Sequence, residues 1–322
     1  MKEILNNRID GEMAWKGCDL KGRLSWIYKL TDVEAEVLDR ALANLKAKGL
    51  SAPNFDKKDF PIDGMKESIA SINEELENGK GFLLIRGLDA EKYNEEELAS
   101  LYYGLGVHMG RPVTQNPKGD MLGVVKSVGD SSDKRTRVYE TNAYLPYHTD
   151  LSDVVGLLSL KKAKSGGMSS LVSAAAIYNA VLDESPELLE VLYSPFYFSH
   201  LGDEEYTPSP IFSNYQGKLS CRYLRQYIEL GHELKCEPLS EKQKAALDLV
   251  DDIIHRDEIK LDMMLEPGDI QFANNYMVLH SRTGFEDFDE EGRKRKLLRL
   301  WLKMPNSRKL APDFPGRNGF SE

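Results

Sequence analysis

The second half of the chain is a series of short apolar or alternating runs, residues 154–160, 170–173, 219–224, 269–273 and 297–304, set apart by glycines, prolines and polar stretches. Runs of roughly four to eight residues are strand-sized, whereas a helix that buries one face needs about ten or more residues at 3.6-fold periodicity. An earlier run, Gly81-Phe-Leu-Leu-Ile-Arg-Gly87, is apolar on both alternating faces and bounded by glycine at each end. It predicts a strand covered on two sides, which has to lie inside something. The pattern calls for a β core with other elements packed around it.

Helices supply that outer layer. Thr31-Asp-Val-Glu34 fits a capping box, and Val37, Leu38, Ala41, Leu42 and Leu45 follow at helical spacing until Gly49. A second helix is expected over residues 65–78, and Asn94-Glu-Glu-Glu97 opens a third that runs through Leu105. Later, residues 185–192 and 240–255 read as helices, the latter opened by Ser240-Glu-Lys-Gln243. Residues 106–144, including Asp130-Ser-Ser-Asp133, are rich in Gly, Pro, Asn, Asp and Ser and read as long loops, which in compact domains are usually functional lids or disordered. No repeat, low-complexity tract or Pro/Ser-rich linker divides the chain, so one domain over residues 1–322 is expected, with residues 1–80 as a helical extension.

The net charge of -10 opposes binding to nucleic acid or to an anionic membrane surface, and favours small-molecule or protein partners, a homo-oligomer included. Cys18, Cys221 and Cys236 are odd in number and widely spaced, as expected of a cytoplasmic protein. No run approaches the roughly 20 apolar residues that span a bilayer.

Chemistry concentrates in Tyr144-Leu-Pro-Tyr-His-Thr-Asp150, where His148 and Asp150 leave the same face of an extended backbone and can bind one cation. His280, in Tyr276-Met-Val-Leu-His-Ser-Arg282, is the candidate third ligand of a 2-His-1-carboxylate site with open positions for a bidentate oxoacid and O2. A His-x-Asp pair alone is weak evidence, because an apolar histidine is more often a satisfied core residue. Downstream, Arg295-Lys-Leu-Leu-Arg-Leu-Trp301 reads as a strand with Arg295 and Arg299 on one face. A buried arginine needs an anion, and a dicarboxylate would satisfy it through a charge-assisted pair. The competing reading, a solvated basic edge paired with the acidic residues of 286–291, accounts for Arg293 and Lys294 better than for an arginine among Leu297, Leu298, Leu300 and Trp301.

These motifs, together with Lys164-Ser-Gly-Gly-Met-Ser169 and His280-Ser-Arg282, occur in an order that resembles the TauD/TfdA (taurine dioxygenase-like, clavaminate synthase-like) superfamily over about residues 81–305. The resemblance implies an α+β fold, a double-stranded β-helix (jelly-roll) core flanked by helices. It implies Fe(II) held by His148, Asp150 and His280, with 2-oxoglutarate as cosubstrate. Arg295 would bind the distal carboxylate and Ser169 would assist, while Arg299 would lie near cosubstrate and substrate. The gap between His280 and Arg295 is longer than in the taurine enzyme. Hydroxylation of a small molecule, with release of succinate and CO2, is the implied reaction. Desaturation, cyclisation and a non-catalytic metal-binding relative are its alternatives.

The resemblance also places Gly106-Val-His-Met-Gly-Arg-Pro112 over the site, so Arg111 with Arg299 could hold an anionic substrate group; a surface ion pair is the alternative for Arg111. Asn142 and Tyr144 lead into the metal strand and are pocket candidates, or else ordinary turn and core residues. His108, His200, His232 and His255 read as structural.

Overall fold

A computed structural model of the chain describes residues 4–127, 141–199, 204–316 and 319. Its core is a pair of facing sheets. The major sheet orders its strands Ile27–Lys29, Phe82–Arg86, Ile270–Asn274, Val154–Lys161, Lys296–Lys303 and Arg111–Val113, with Leu122–Val125 also paired to Lys296–Lys303. The minor sheet orders Leu261–Met263, Ser169–Ser173, Val278–Arg282 and Leu145–His148. Within these sheets every pairing is antiparallel except that of Ile27–Lys29 with Phe82–Arg86. This is the jelly-roll core that the resemblance implies.

Side-chain alternation explains why the sheets face each other. Phe82, Leu84, Val155, Ala273, Leu297 and Trp301 of the major sheet meet Leu171, Val278, Leu261 and Met263 of the minor sheet in one inner cluster. The intervening residues Leu83, Ile85, Leu158, Phe272, Leu298, Leu300 and Leu302 turn outward, under the helices Asp32–Ala47, Lys66–Asn78 and Glu95–Met109. On the other side Val172, Leu279 and Tyr147 face the helices Ala174–Glu184, Pro186–Leu192 and Glu241–Ile254. Gly156 lets the Glu95–Met109 helix lie close to the major sheet: a Cβ there would stand 2.4 Å from the Tyr102 hydroxyl and 2.6 Å from the Phe272 ring.

All three expected capping boxes form, at Thr31, Asn94 and Ser240. Other elements depart from expectation. The Asn94-capped helix continues to Met109, and Arg111–Val113 and Leu122–Val125 are strands rather than loop. Each is only three or four residues long, but each joins a different end of the long Lys296–Lys303 strand. Asp130-Ser-Ser-Asp133 and His200 lie outside the described residues. The N-terminal stretch is not wholly helical, because Ile27–Lys29 adds a strand to the major sheet. Ala174–Glu184, a helix not foreseen, is apolar on most sides and so has little amphipathic signature; it is buried from Ala174 to Asn179. No helix among the described residues is long and apolar enough to cross a membrane.

Candidate active site

The candidate metal ligands converge because of sheet register. His148 and His280 are direct partners across neighbouring antiparallel strands of the minor sheet, with ring centroids 4.2 Å apart. Asp150 follows just beyond the strand end. His148 Nε2 lies 3.8 Å from Asp150 Oδ1 and His280 Nε2 lies 3.6 Å from Asp150 Oδ2. One ligand atom from each residue lies within 4.8 Å of the other two.

Electrostatics prepare these groups for a cation. Burial and the adjacent His280 push the His148 imidazole down to about 4, so it is neutral at physiological pH. The His148 Nδ1 sits 2.8 Å from the Pro146 carbonyl; as a donor there it leaves the Nε2 lone pair facing the site. Burial alone would raise the Asp150 carboxyl, but Arg299 and the two imidazoles outweigh it and hold the group far below the usual carboxylate range. Two imidazoles and one carboxylate, with lone pairs converging on one point, fit a ferrous ion by ligand type and number.

A surrounding layer holds Asp150 in place. Its backbone N–H donates to Asn275 Oδ1 at 3.0 Å, and Asn275 is itself fixed by Nδ2 donating to the Ser152 carbonyl at 3.0 Å. Trp301 Nε1 donates to Asp150 Oδ2 at 2.9 Å. Arg299 places Nη1 3.9 Å from Asp150 Oδ1, stacks 4.6 Å from the Trp301 ring centroid and donates from Nε to Gln115 Oε1 at 2.7 Å. Gln115 closes this loop by donating to the Arg299 carbonyl at 2.6 Å. The sequence offered no signal for Gln115, Asn275 or the indole contact, because each depends on which strand lies beside which.

Arg299 alternates with Leu297 and Trp301 on the inner face of its strand, whereas Arg295 stands one residue before that strand, next to a register irregularity between Lys296 and Leu297, so period two alone does not relate the pair. Arg293 and Lys294 pair with Glu290 and Glu291, whereas Arg295 is 6% exposed and Nη1 has no partner among the described residues. The acidic residue nearest to compensating it, Asp287, accepts instead from the Arg295 backbone N–H at 2.7 Å. Burial, then the neighbouring charge of Arg282, lowers the Arg295 guanidinium to about 10. Such an environment favours an anion arriving from solution.

Ser169 lies at the start of its minor-sheet strand and donates to Gln271 Oε1 at 2.6 Å, bridging the two sheets. With the Gln271 amide turned over, its NH2 would donate to Ser169 and free the hydroxyl proton for a carboxylate. The preceding Gly166 and Gly167 have φ of +70° and +71°, and a Cβ on Gly167 would meet Arg295 Nε at 3.1 Å. The glycine pair is thus both a turn and the floor beneath Arg295.

The other candidates are more dispersed. Arg111 is exposed on an edge strand opposite Lys303, and no ion pair is found for it among the described residues. Asn142 is exposed and its carbonyl accepts from Phe285 N at 3.0 Å. Tyr144 is 43% exposed and its hydroxyl lies 3.1 Å from His255 Nε2. His108 Nε2 is 2.7 Å from the Phe60 carbonyl and His232 Nδ1 is 2.7 Å from the Glu237 carbonyl, in keeping with structural roles.

Known proteins resemble this arrangement. The family model "Taurine catabolism dioxygenase TauD, TfdA family" matches residues 43–301, beginning well before the 81 expected from the motifs. FR-33289 synthase from Streptomyces rubellomurinus is 34% identical over 96% of this chain and 94% of its own length. A taurine hydroxylase-like protein from Stachybotrys chartarum is 26% identical over 92% of this chain and 80% of its own. Among solved structures, asparagine oxygenase in complex with Fe(II), 3-hydroxyasparagine and succinate superposes with a TM-score of 0.69 at 18% identity, covering 86% of this chain and 93% of that one. The non-heme iron oxygenase OrfP, in complex with Fe, succinate and (3S)-hydroxy-L-Arg, gives 0.65 at 15% identity, covering 86% and 93%. The chain belongs to the TauD/TfdA family and is an Fe(II)- and 2-oxoglutarate-dependent dioxygenase.

Proposed function

We propose that His148, Asp150 and His280 hold the iron, that Arg295 and Ser169 receive the distal carboxylate of 2-oxoglutarate, and that the enzyme hydroxylates an unactivated C–H of a small molecule carrying a carboxylate or similar anionic group. The observation that carries this reading is the pairing of a buried His-Asp-His cluster with a buried arginine that has no ion partner among the described residues. Bound there, iron and 2-oxoglutarate supply the oxidising chemistry, in which O2 is consumed, succinate and CO2 leave, and one oxygen atom reaches the substrate.

The chain's own residues orient and shield. Trp301 holds the Asp150 carboxylate, Asn275 holds the Asp150 backbone N–H, and the Pro146 carbonyl favours one His148 tautomer, so two of the three ligands are oriented by protein contacts. Arg299 sits between the Asp150 carboxylate and Gln115 of the loop after Arg111–Val113, where it can attract the anionic end of a substrate. Arg111 and Asn142, both exposed, are proposed as outer substrate contacts; Tyr144 would join them only by leaving His255. The asparagine oxygenase and OrfP complexes hold hydroxylated amino acids, which favours an amino-acid-like substrate. Free Cys18, Cys221 and Cys236 suit a cytoplasmic enzyme.

The test is to incubate the iron-loaded protein with 2-oxoglutarate and a panel of amino acids and other small carboxylates under labelled oxygen gas. Substrate-dependent succinate formation with one labelled oxygen atom in the product is expected. Loss of two hydrogens instead would assign desaturation or cyclisation, and absence of turnover across anionic and neutral panels alike would point to a non-catalytic relative.

A further inference from the structure

We propose that Arg282 is a second cationic partner of the cosubstrate's distal carboxylate, so that this carboxylate lies between two guanidinium groups and is not held by Arg295 alone. The inference rests on the reading of the site given above and concerns a residue to which that reading assigns no role.

Position along the strand comes first. Arg282 follows His280 by two residues in Val278–Arg282, so both side chains leave the inner face, and at about 3.4 Å per residue the second lies roughly 7 Å further on. That offset is comparable to the length of a diacid reaching from its chelating end at the metal to its far carboxylate. Across the ladder, Arg282 is the direct partner of Ser169. The strand therefore sets out, in order, a metal ligand and then a cation beside the hydroxyl already placed at the distal end.

The surroundings of Arg282 match that position. Arg282 is 5% exposed and its guanidinium lies 4.7 Å from the Phe285 ring centroid, while that of Arg295 lies 5.1 Å from the same centroid. One ring thus carries both cations. Arg282 donates from Nη2 to the Ala143 carbonyl, but its Nε is buried with no partner among the described residues, as is Arg295 Nη1. Asp287 is the carboxylate that acts on both arginines. Its Oδ1 accepts from the Arg295 backbone N–H, and Oδ2 is left without a hydrogen bond. Among the described residues, two buried cations face one carboxylate, which leaves one positive charge for a single incoming carboxylate to balance. Burial also lowers the Arg282 guanidinium to about 10, the same direction as for Arg295. A purely structural Arg282, present only to tie down Ala143, would not need to share the Phe285 ring with Arg295, near enough for its charge to lower the Arg295 guanidinium.

The experiment is anaerobic calorimetric titration of the Fe(II)-loaded protein with 2-oxoglutarate and, separately, with 2-oxobutanoate, which chelates identically but lacks the distal carboxylate. Arg282→Gln, which keeps a donor for Ala143 and removes the charge, is expected to weaken 2-oxoglutarate by roughly 10-fold or more, the usual effect of losing a charge-assisted hydrogen bond, and to leave 2-oxobutanoate unchanged. Arg282→Lys keeps the charge without the planar fork; it should fall between the two and provides the reading should the glutamine variant not fold. Unchanged 2-oxoglutarate affinity in the variants, or equal weakening of both oxoacids, would overturn the proposal in favour of a structural role. Arg295→Gln is the control: if neither it nor the wild type distinguishes 2-oxoglutarate from 2-oxobutanoate, the distal-carboxylate reading itself falls, and the role of Arg282 with it.

Discussion

The most informative residues in this protein are polar groups placed where burial penalises them. His148, Asp150, Arg282 and Arg295 are each poorly solvated; the Asp150 carboxylate is matched by nearby protein cations, whereas among the described residues Arg282 and Arg295 share the one carboxylate of Asp287. The metal pair was legible in the sequence because His148 and Asp150 are two apart and a strand sends both the same way. Arg299 is legible because it alternates with apolar strand residues, and Arg295 because it stands just before the same strand. Gln115, Asn275 and Trp301, which orient the ligands, were not, since their contacts run between strands distant in sequence and no local period records them. Among these, Trp301 offers a sharp test. Trp301→Phe keeps the packing of the inner cluster but removes the donor to Asp150 Oδ2, and such outer contacts typically contribute about 10- to 100-fold in metal affinity. Competition of the variant against a calibrated Fe(II) chelator should show a loss of that order with little change in melting temperature; unaltered affinity would mean that the indole is packing only.

Elements framed by capping chemistry declare themselves, and those buried on several sides, or one-faced but uncapped like the Arg225–Lys235 helix, do not. The Asp32–Ala47 helix was predicted from Thr31 to Gly49 because it has a capping box, one apolar face and a glycine stop. The Ala174–Glu184 helix was missed because it is apolar nearly all round, and the short Arg111–Val113 and Leu122–Val125 strands were missed because their stability comes from the long strand they flank. Contact between layers is also invisible to periodicity. Gly156 reads as an interruption in a strand, yet it is where Tyr102 and Phe272 approach the backbone. Gly156→Ala is expected to destabilise the fold by about 1–3 kcal/mol through overpacking. Denaturant unfolding measures this directly, and a Gly156→Ala protein as stable as the wild type would show that the helix and sheet can part without cost.

Across the whole molecule, a second buried charge cluster lies apart from the triad and ties distant segments together. Glu77 accepts from Lys218 at 2.8 Å, from Arg308 at 3.1 Å and from Asn274 at 3.1 Å, linking the Lys66–Asn78 helix, the Lys218–Cys221 strand, the major sheet and the C-terminal segment. Unlike Arg282 and Arg295, Arg308 already has its carboxylate, so this cluster is structural. Glu77→Ala leaves Arg308 buried without its counterion and should cost roughly 3–5 kcal/mol in unfolding free energy. Fe(II) affinity of the folded fraction is expected to stay unchanged, since the cluster does not touch the triad; a parallel loss of metal binding would show that the two sites are coupled.

The contrast between a satisfied charge cluster and an unsatisfied one underlies the functional account, and anaerobic titration tests it most directly. Wild-type apoprotein given Fe(II) and then 2-oxoglutarate should develop the weak visible charge-transfer band of a chelated oxoacid, and His148→Ala, still folded, should not. A band of equal strength in His148→Ala, or none in wild-type protein that demonstrably holds Fe(II), would contradict the assignment of this cluster as the iron and 2-oxoglutarate site.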